Sequence, residues 1–312
     1  MINLLTPEFF FTVIRVTTPI LLAAMAAVIC NKAGVTNIAL EGIMLTAALT
    51  GVLVSGFTQS LILGAIGGIL GGVFIAFLLA YFALYLKTDI ILGGIALNLL
   101  TVGGTVFVMF AITGDKGATN SVRSLQFPAV NIPFIEDIPV LGTILSGHNL
   151  LTYLAILMVF FVFFLLYKTT FGLRLRAVGE NPDAASSVGI DVNRIQLYAL
   201  LLSGVIASFG GMYMSMAYLK LFTTNMVSGR GYIALAAAAM GQANPIGTMI
   251  ASLLFGFMES VGYQLQSRGI PSQFINMVPY VSTIVGLVLY SMYRQNQLKK
   301  KKAIKLNEEV KS

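Results

Sequence analysis

The feature that most constrains this chain is the length of its apolar runs. Stretches of about 20 predominantly apolar residues recur along it, the length an α-helix needs to cross the hydrocarbon of a bilayer. In lipid the backbone must satisfy its own hydrogen bonds, which leaves helices or a closed barrel. Barrel strands run about 10 residues with strict alternation of apolar and polar positions, and no such alternation is present. Composition agrees. Only 10% of residues are charged, against roughly 25% in a soluble domain, and the mean hydropathy is +0.88. The chain is predicted to be all-α, a polytopic transmembrane helical bundle whose surroundings are membrane lipid.

The pattern predicts about nine spans: 10–29, 36–55, 61–85, 91–112, 150–167, 196–218, 230–243, 246–263 and 276–293. A polar loop separates the fourth and fifth, and a charged loop from Lys168 to Arg194 separates the fifth and sixth. The second span holds Asn37 and Glu41 and could be re-entrant or broken, which would change the count to eight or ten. Residues 1–294 then form one membrane domain, with an external loop at 113–149 and a cytoplasmic loop at 168–194. Residues 295–312 form a basic cytoplasmic tail.

Orientation follows from cations in short loops. Lys168, Arg174, Arg176 and Arg194 lie in the charged loop. Six of the nineteen basic residues lie in the last fourteen positions. Four crossings separate these two segments, so both fall on the cytoplasmic side, with the N-terminus outside. The net charge of +7 is thereby explained by topology, and no nucleic-acid partner is expected. The first charge is Glu8 and the first cation, Arg15, lies inside an apolar run, so no cleaved signal peptide is expected.

Reactive chemistry is sparse. One cysteine and one histidine cannot build a Cys/His metal site or a disulfide within one chain. Cys30 reads as a small buried residue and His148 as a solvated loop residue. There is no Gly-Lys pair, hence no G-x-x-x-x-G-K-[ST] phosphate loop, and no constellation for nucleophilic catalysis. No catalytic residue, cofactor or metal is expected, and the chain is not predicted to be an enzyme. Gly64, Gly68 and Gly72 repeat at i, i+4, i+8, as do Ala207, Gly211 and Ser215. Such stripes let helix backbones approach closely.

Two segments stand apart. Asn181-Pro182 reads as a helix N-cap followed by proline at the first helical position. Asp183 falls in the first turn, where it suits the helix dipole, and Gly189 is a natural terminator. A helix of about two turns, outside the bilayer and lined by small residues, is expected there, able either to connect or to dock. In the second segment, Asn37 and Glu41 are four apart and on a helix would share a face. An intramembrane carboxylate faces the bundle interior or a watered path by default. Asn98 or Arg15 could partner it, and the pair could be either a solute contact or a structural network. Glu259 could line the outer half of such a path or pair with Arg268, and pairing is favoured. The expected solute pathway is thus Asn37, Glu41, Asn98 and Glu259.

The stretch Phe171-Gly-Leu-Arg-Leu-Arg-Ala-Val-Gly-Glu-Asn-Pro-Asp-Ala-Ala-Ser-Ser-Val-Gly-Ile190 resembles the coupling loop of ABC importer permeases of the branched-chain amino acid, ribose and nucleoside type. The match rests on Gly172, Arg174, Arg176-Ala177, Gly179, Asn181, Ala184-Ala185 and Gly189-Ile190. The run Thr36-Asn-Ile-Ala-Leu-Glu-Gly-Ile-Met-Leu45 is similar to the N-[IL]-x-x-E-G-x-M pattern of the nucleoside and simple-sugar branch. Ser203–Tyr218, Gly231–Gly241 and Asn244-Pro245-Ile-Gly247 are also similar, whereas the 114–149 loop matches no pattern.

The resemblance implies a permease subunit in the plasma or inner membrane that works by alternating access on a small polar solute, nucleosides first. Simple sugars or branched-chain amino acids are the alternatives. It implies an ATP-binding cassette ATPase as partner, contacted through Gly172, Arg174, Arg176, Gly179, Glu180, Asn181, Asp183, Ala184, Ala185 and Gly189. A second related permease, more in keeping with a heterodimer, and an extracytoplasmic solute-binding protein or lipoprotein complete the set. An ATP-independent secondary transporter is the rival reading; it would need ion-coupling residues near mid-membrane, for which Glu41 and Glu259 are available. An intramembrane enzyme or scaffold is a further rival, with too few reactive groups to support it.

Overall fold

The computed structural model describes residues 6–133 and 140–266 and the single positions 281, 286, 288 and 292. Apart from those four positions, the expected ninth span lies outside the described residues, as does the tail. The described elements are α1 Pro7–Lys32, α2 Leu40–Thr58, α3 Leu61–Ala80, α4 Ile90–Thr113, β1 Ala129–Val130, α5 Leu141–Leu145, β2 His148–Asn149, α6 Leu150–Lys168, α7 Thr170–Glu180, α8 Pro182–Ser187, α9 Val192–Met212, α10 Arg230–Met240 and α11 Pro245–Gln266. Single π-helical segments extend α3 through Tyr81–Tyr85 and α9 through Tyr213–Tyr218.

Seven of these helices are long and apolar enough to cross a bilayer: α1, α2, α3, α4, α6, α9 and α11. Local chemistry sets their ends. Asp89 accepts from the backbone N–H groups of Ile91 and Leu92 to open α4, and Asn149 accepts from Leu151 to open α6. These caps satisfy donors that the first helical turn leaves orphaned.

α1 is the axis of the bundle. It is apolar on every side and buried on every side from Ile20 to Cys30, as expected of a core helix. It packs on α6, α9, α10 and α11. α3, α4 and α6 lie at the periphery and turn large apolar side chains outward, among them Leu70, Leu99, Phe107 and Phe160. The glycine stripe of α3 faces inward on α2 and α9, as its spacing predicts. The Ala207–Gly211–Ser215 stripe does the same from α9. A Cβ on Gly211 would lie 2.0 Å from the Met44 carbonyl oxygen, so a side chain there would force α9 away from α2.

The two ends of the bundle differ. One carries the β1–β2 hairpin, with Ala129 opposite Asn149, and the loop whose Ala118 bridges Thr223. The other carries α7 and α8. Between them α10 has only eleven residues, about 16 Å of helix, roughly half the hydrocarbon thickness. The expected seventh span, 230–243, is therefore a half-helix. The helix alone is too short for a crossing. The 219–229 segment, bridged to Ala118 at the hairpin end, covers the rest of the depth, and Ala243 beyond α10 lies beside Lys32 and Gly179 at the α7 end, so the four-crossing count is kept.

Candidate functional site

Two breaks in helical structure meet inside the bundle. The first is the non-helical connector between α1 and α2, which runs along α9. Gln196 donates to the Ala33 carbonyl, and two helical turns further on Asn37 donates to the Ser203 hydroxyl at 3.0 Å. Asn37 is fully buried. It precedes α2 instead of sharing a helical face with Glu41, which corrects the expectation from their spacing. Non-helical backbone at this depth survives only when protein encloses it, and here α9 and α4 do so. Asn98 of α4 donates to the Ile38 carbonyl and to the Tyr232 hydroxyl, and accepts from the Gly42 N–H at 2.8 Å. It acts as a cap supplied to α2 from another helix.

The second break is the segment that enters α10. Glu41 meets it directly: one carboxylate oxygen accepts from the Gly229 N–H at 2.7 Å and the other from the Gly231 N–H at 2.8 Å. These donors flank the start of α10, where the helix dipole is positive. A buried anion on that end is neutralised by hydrogen bonds and dipole together. Neither Asn98 nor Arg15 is the hydrogen-bonding partner of the carboxylate. Arg230, the first residue of α10, points to the other side. It pairs with Glu259 of α11 and donates to the Tyr263 hydroxyl and the Val227 carbonyl. Glu259 is thus paired as expected, but with Arg230; Arg268 lies outside the described residues.

Three of the four expected pathway residues, Asn37, Glu41 and Asn98, therefore converge on one joint between the starts of α2 and α10. Glu259 reaches the same joint through Arg230. All are buried and bonded to protein. Arg230 and Tyr232 were not picked out from the sequence. The available signal was a lone arginine opening an Ala-rich apolar run, a position that demands a buried partner.

At the far end, α8 forms as its caps predict. Asn181 accepts from the Ala184 N–H at 3.0 Å, Pro182 occupies the first helical position, and Gly189 takes φ +81° just beyond. Arg174, Glu180, Asn181, Asp183, Ala184 and Gly189 are exposed, while Ala185 turns inward and is buried. Arg176 stacks over the Tyr167 ring at 5.0 Å. Gly172 lies tight against the last turn of α6. Gly179 lies so close to the end of α1 that an added Cβ would stand 2.2 Å from the Lys32 carbonyl oxygen and 3.0 Å from the Gly34 nitrogen. The α7–α8 pair thus touches the start of the same connector that carries Asn37 to Glu41.

His148 departs from expectation. It is 3% exposed, stacks on Phe11 with ring centroids 4.0 Å apart, and donates from Nε2 to the Ile144 carbonyl at 2.8 Å. Burial pushes its pKa below the ordinary value, and the nearby Arg15 charge adds to that. Cys30 is buried and free, as expected. Among the described residues no group of three or more His, Cys, Asp or Glu could hold a metal ion.

The family model described as branched-chain amino acid transport system / permease component matches residues 9–292. The chain is 36% identical over 285 residues to the nucleoside ABC transporter permease protein NupC of Lactococcus lactis subsp. cremoris, covering 88% of this chain and 89% of that protein. It is 36% identical over 280 residues to the guanosine ABC transporter permease protein NupQ of Bacillus subtilis, covering 86% and 87%. It is 31% identical over 285 residues to the putative glucose ABC transporter permease protein TsgC13 of Haloferax volcanii, covering 90% and 86%. All three are named as ABC transporter permease proteins. With a family model spanning most of its length, and with a predominantly helical, multi-pass bundle to match, the chain belongs to the permease component family of the branched-chain amino acid transport system type.

Proposed function

We propose that this chain is the transmembrane permease subunit of an ATP-driven importer of nucleosides. The observation that carries the mechanism is the contact of Gly179 with the Lys32–Gly34 turn. An ATPase closing on α8 would move α7, and α7 cannot move without displacing the connector that holds Asn37 and leads to Glu41. Glu41 in turn holds the start of α10 by two hydrogen bonds. A half-helix tied at one end by a carboxylate and an ion pair can tilt as a unit. Tilting would switch which side of the bundle is open, in the manner of alternating access. The nucleoside reading is supported by the two relatives named for nucleosides and guanosine.

In this reading the α7–α8 end and the C-terminus are cytoplasmic, in keeping with their cations, and the hairpin end meets an extracytoplasmic solute-binding protein. A cassette ATPase docks on the exposed residues of α8, and a second related permease completes the pore as a heterodimer. Lipid covers the outward faces of α3, α4 and α6. Asn37, Glu41, Asn98 and Glu259 shape the solute route by setting the position of α10.

The test is uptake by proteoliposomes holding this chain, its second permease, its ATPase and its binding protein. Guanosine, glucose and leucine are offered separately, with and without internal ATP. ATP-dependent guanosine uptake supports the proposal. ATP-dependent uptake of glucose or leucine alone would move the chain to another solute. Uptake that persists without ATP under a proton gradient would make it a secondary transporter.

A further inference from the structure

At the hairpin end a cleft of about 380 Å³ opens between α1, the π segment after α9 and the loop before β1. A narrower pocket beneath it reaches Arg230 and Tyr263. Arg15, Tyr213 and Tyr218 line both. The two arginines differ. Arg230 is neutralised by Glu259. Arg15 has no ion pair among the described residues, and its Nε is buried without a hydrogen-bond partner. Its guanidinium lies over the Tyr218 ring, 5.1 Å from the centroid. An unpaired cation about 12 Å inside an apolar helix is costly and marks a functional position by default.

We infer that Arg15 and Tyr218 form the receiving subsite for the base of a purine nucleoside, with preference for a 6-oxopurine. The inference rests on the reading of the chain as a nucleoside importer and adds the part of the solute that is recognised. A cleft of this size falls in the range of small-molecule sites. Bases stack on tyrosine rings and arginine planes. A guanidinium fork pairs two adjacent acceptors, and guanine offers them at O6 and N7. Adenine instead offers one acceptor beside an N6–H donor. Arg15 is a donor only, so it can satisfy the guanine edge and not the adenine one. The tyrosine face and the apolar walls from Phe11, Pro128 and Ala217 supply the apolar remainder.

The experiment uses the full-length chain in nanodiscs. The sequence has no tryptophan, so Tyr218→Trp places a single fluorescent reporter at the subsite and keeps an aromatic face under Arg15. Guanosine is expected to quench it saturably, with adenosine about tenfold weaker. Adding Arg15→Gln should weaken guanosine about tenfold and abolish the preference over adenosine. Arg15→Lys keeps the charge but not the fork and should also lose the preference, which covers failure of the Gln variant to fold. Equal binding of both nucleosides to the protein with Arg15 intact, or an unchanged preference in the Lys variant, overturns the inference. Quenching by inorganic phosphate as strong as by guanosine also overturns it, since the site would then take anions. Nucleoside uptake by the assembled transporter with KM unchanged by Arg15→Gln sinks the subsite and leaves the import reading standing. Absence of nucleoside uptake by the wild-type assembly sinks the import reading itself.

Discussion

The Glu41 carboxylate lies 2.8 Å from the backbone nitrogen of Gly231, a residue 190 positions further along the chain. Through this bond, and its twin to Gly229, the start of one helix becomes the N-cap of another. Glu41→Ala would strand two buried N–H donors at the positive end of α10. The expected loss is about 3 kcal/mol, since hydrogen bonds to a charged acceptor contribute about 1.5–3 kcal/mol each. Glu41→Gln keeps one acceptor oxygen and should lose about half as much. Thermal melting of the purified chain in detergent measures both. Equal melting of wild type and Glu41→Ala would show that the cap does not hold α10.

Arg230 and Glu259 form a pair with side chains 12% and 9% exposed. Breaking such a pair leaves a buried charge and typically costs about 3–5 kcal/mol, whereas replacing both partners by apolar residues is often neutral. Arg230→Met and Glu259→Leu should each lower stability by that amount, and the double variant should regain most of the loss. A double-mutant cycle on melting temperature reads the coupling, and additive losses would contradict it. The double variant should still fail in uptake, because α10 would have lost a tether.

The parts of this architecture written in neighbouring residues were legible in the sequence. The α8 helix follows from Asn181, Pro182 and Gly189 within nine positions, and the α3 stripe follows from glycines four apart. The joint was legible only as a need. Buried Asn37 and Glu41 demanded partners, but those partners are 166 and 188–190 residues away, where only packing brings them. Local pattern misplaced Asn37 on the second helix because nothing nearby shows that the connector stays non-helical as it passes α9. It read α10 as a span because alanine-rich apolarity does not encode length of crossing. His148 looked solvated because its own stretch is polar, while the Phe11 ring that covers it belongs to α1.

The surface of α8 separates docking from packing. Ala184 and Val188 are exposed, Val188 by 77%, and Ala185 is buried at 4%. Ala184→Glu or Val188→Glu should leave melting within about 0.5 kcal/mol of wild type, as surface changes do, and abolish co-purification with the ATPase. Ala185→Glu should destabilise the chain itself, because it buries a carboxylate without a partner. If the ATPase binds the two surface variants normally, α8 is not the docking helix.

Gly179 tests transmission apart from docking. Its Cβ position lies 2.2 Å from the Lys32 carbonyl oxygen, so Gly179→Val must push α7 away from the α1–α2 connector while leaving the α8 surface intact. The expected variant still binds its ATPase and still hydrolyses ATP, but solute uptake per ATP falls at least about tenfold, a loss of about 1.4 kcal/mol of coupling. Uptake and hydrolysis measured in the same proteoliposomes give the ratio. An unchanged ratio would place the transmission elsewhere.

His148 gives the hairpin end a defined pH response. Burial and the charge of Arg15 hold its folded pKa below the ordinary 6.5, partly offset by the bond to Ile144. A histidine with a depressed folded pKa stabilises the fold fully above its unfolded value, and that contribution is lost as pH falls from 6.5 through the folded value. Protonation would put a second cation beside Arg15, with Tyr153 the other titratable ring nearby. Melting temperature of the wild-type chain should therefore fall between pH 7 and pH 5. His148→Phe keeps a ring against Phe11, leaves the Ile144 carbonyl unpaired and has nothing to protonate. Its melting should be lower at pH 7 and flatter with pH. Parallel pH profiles for the two proteins would remove His148 as the source of acid sensitivity at this end of the bundle.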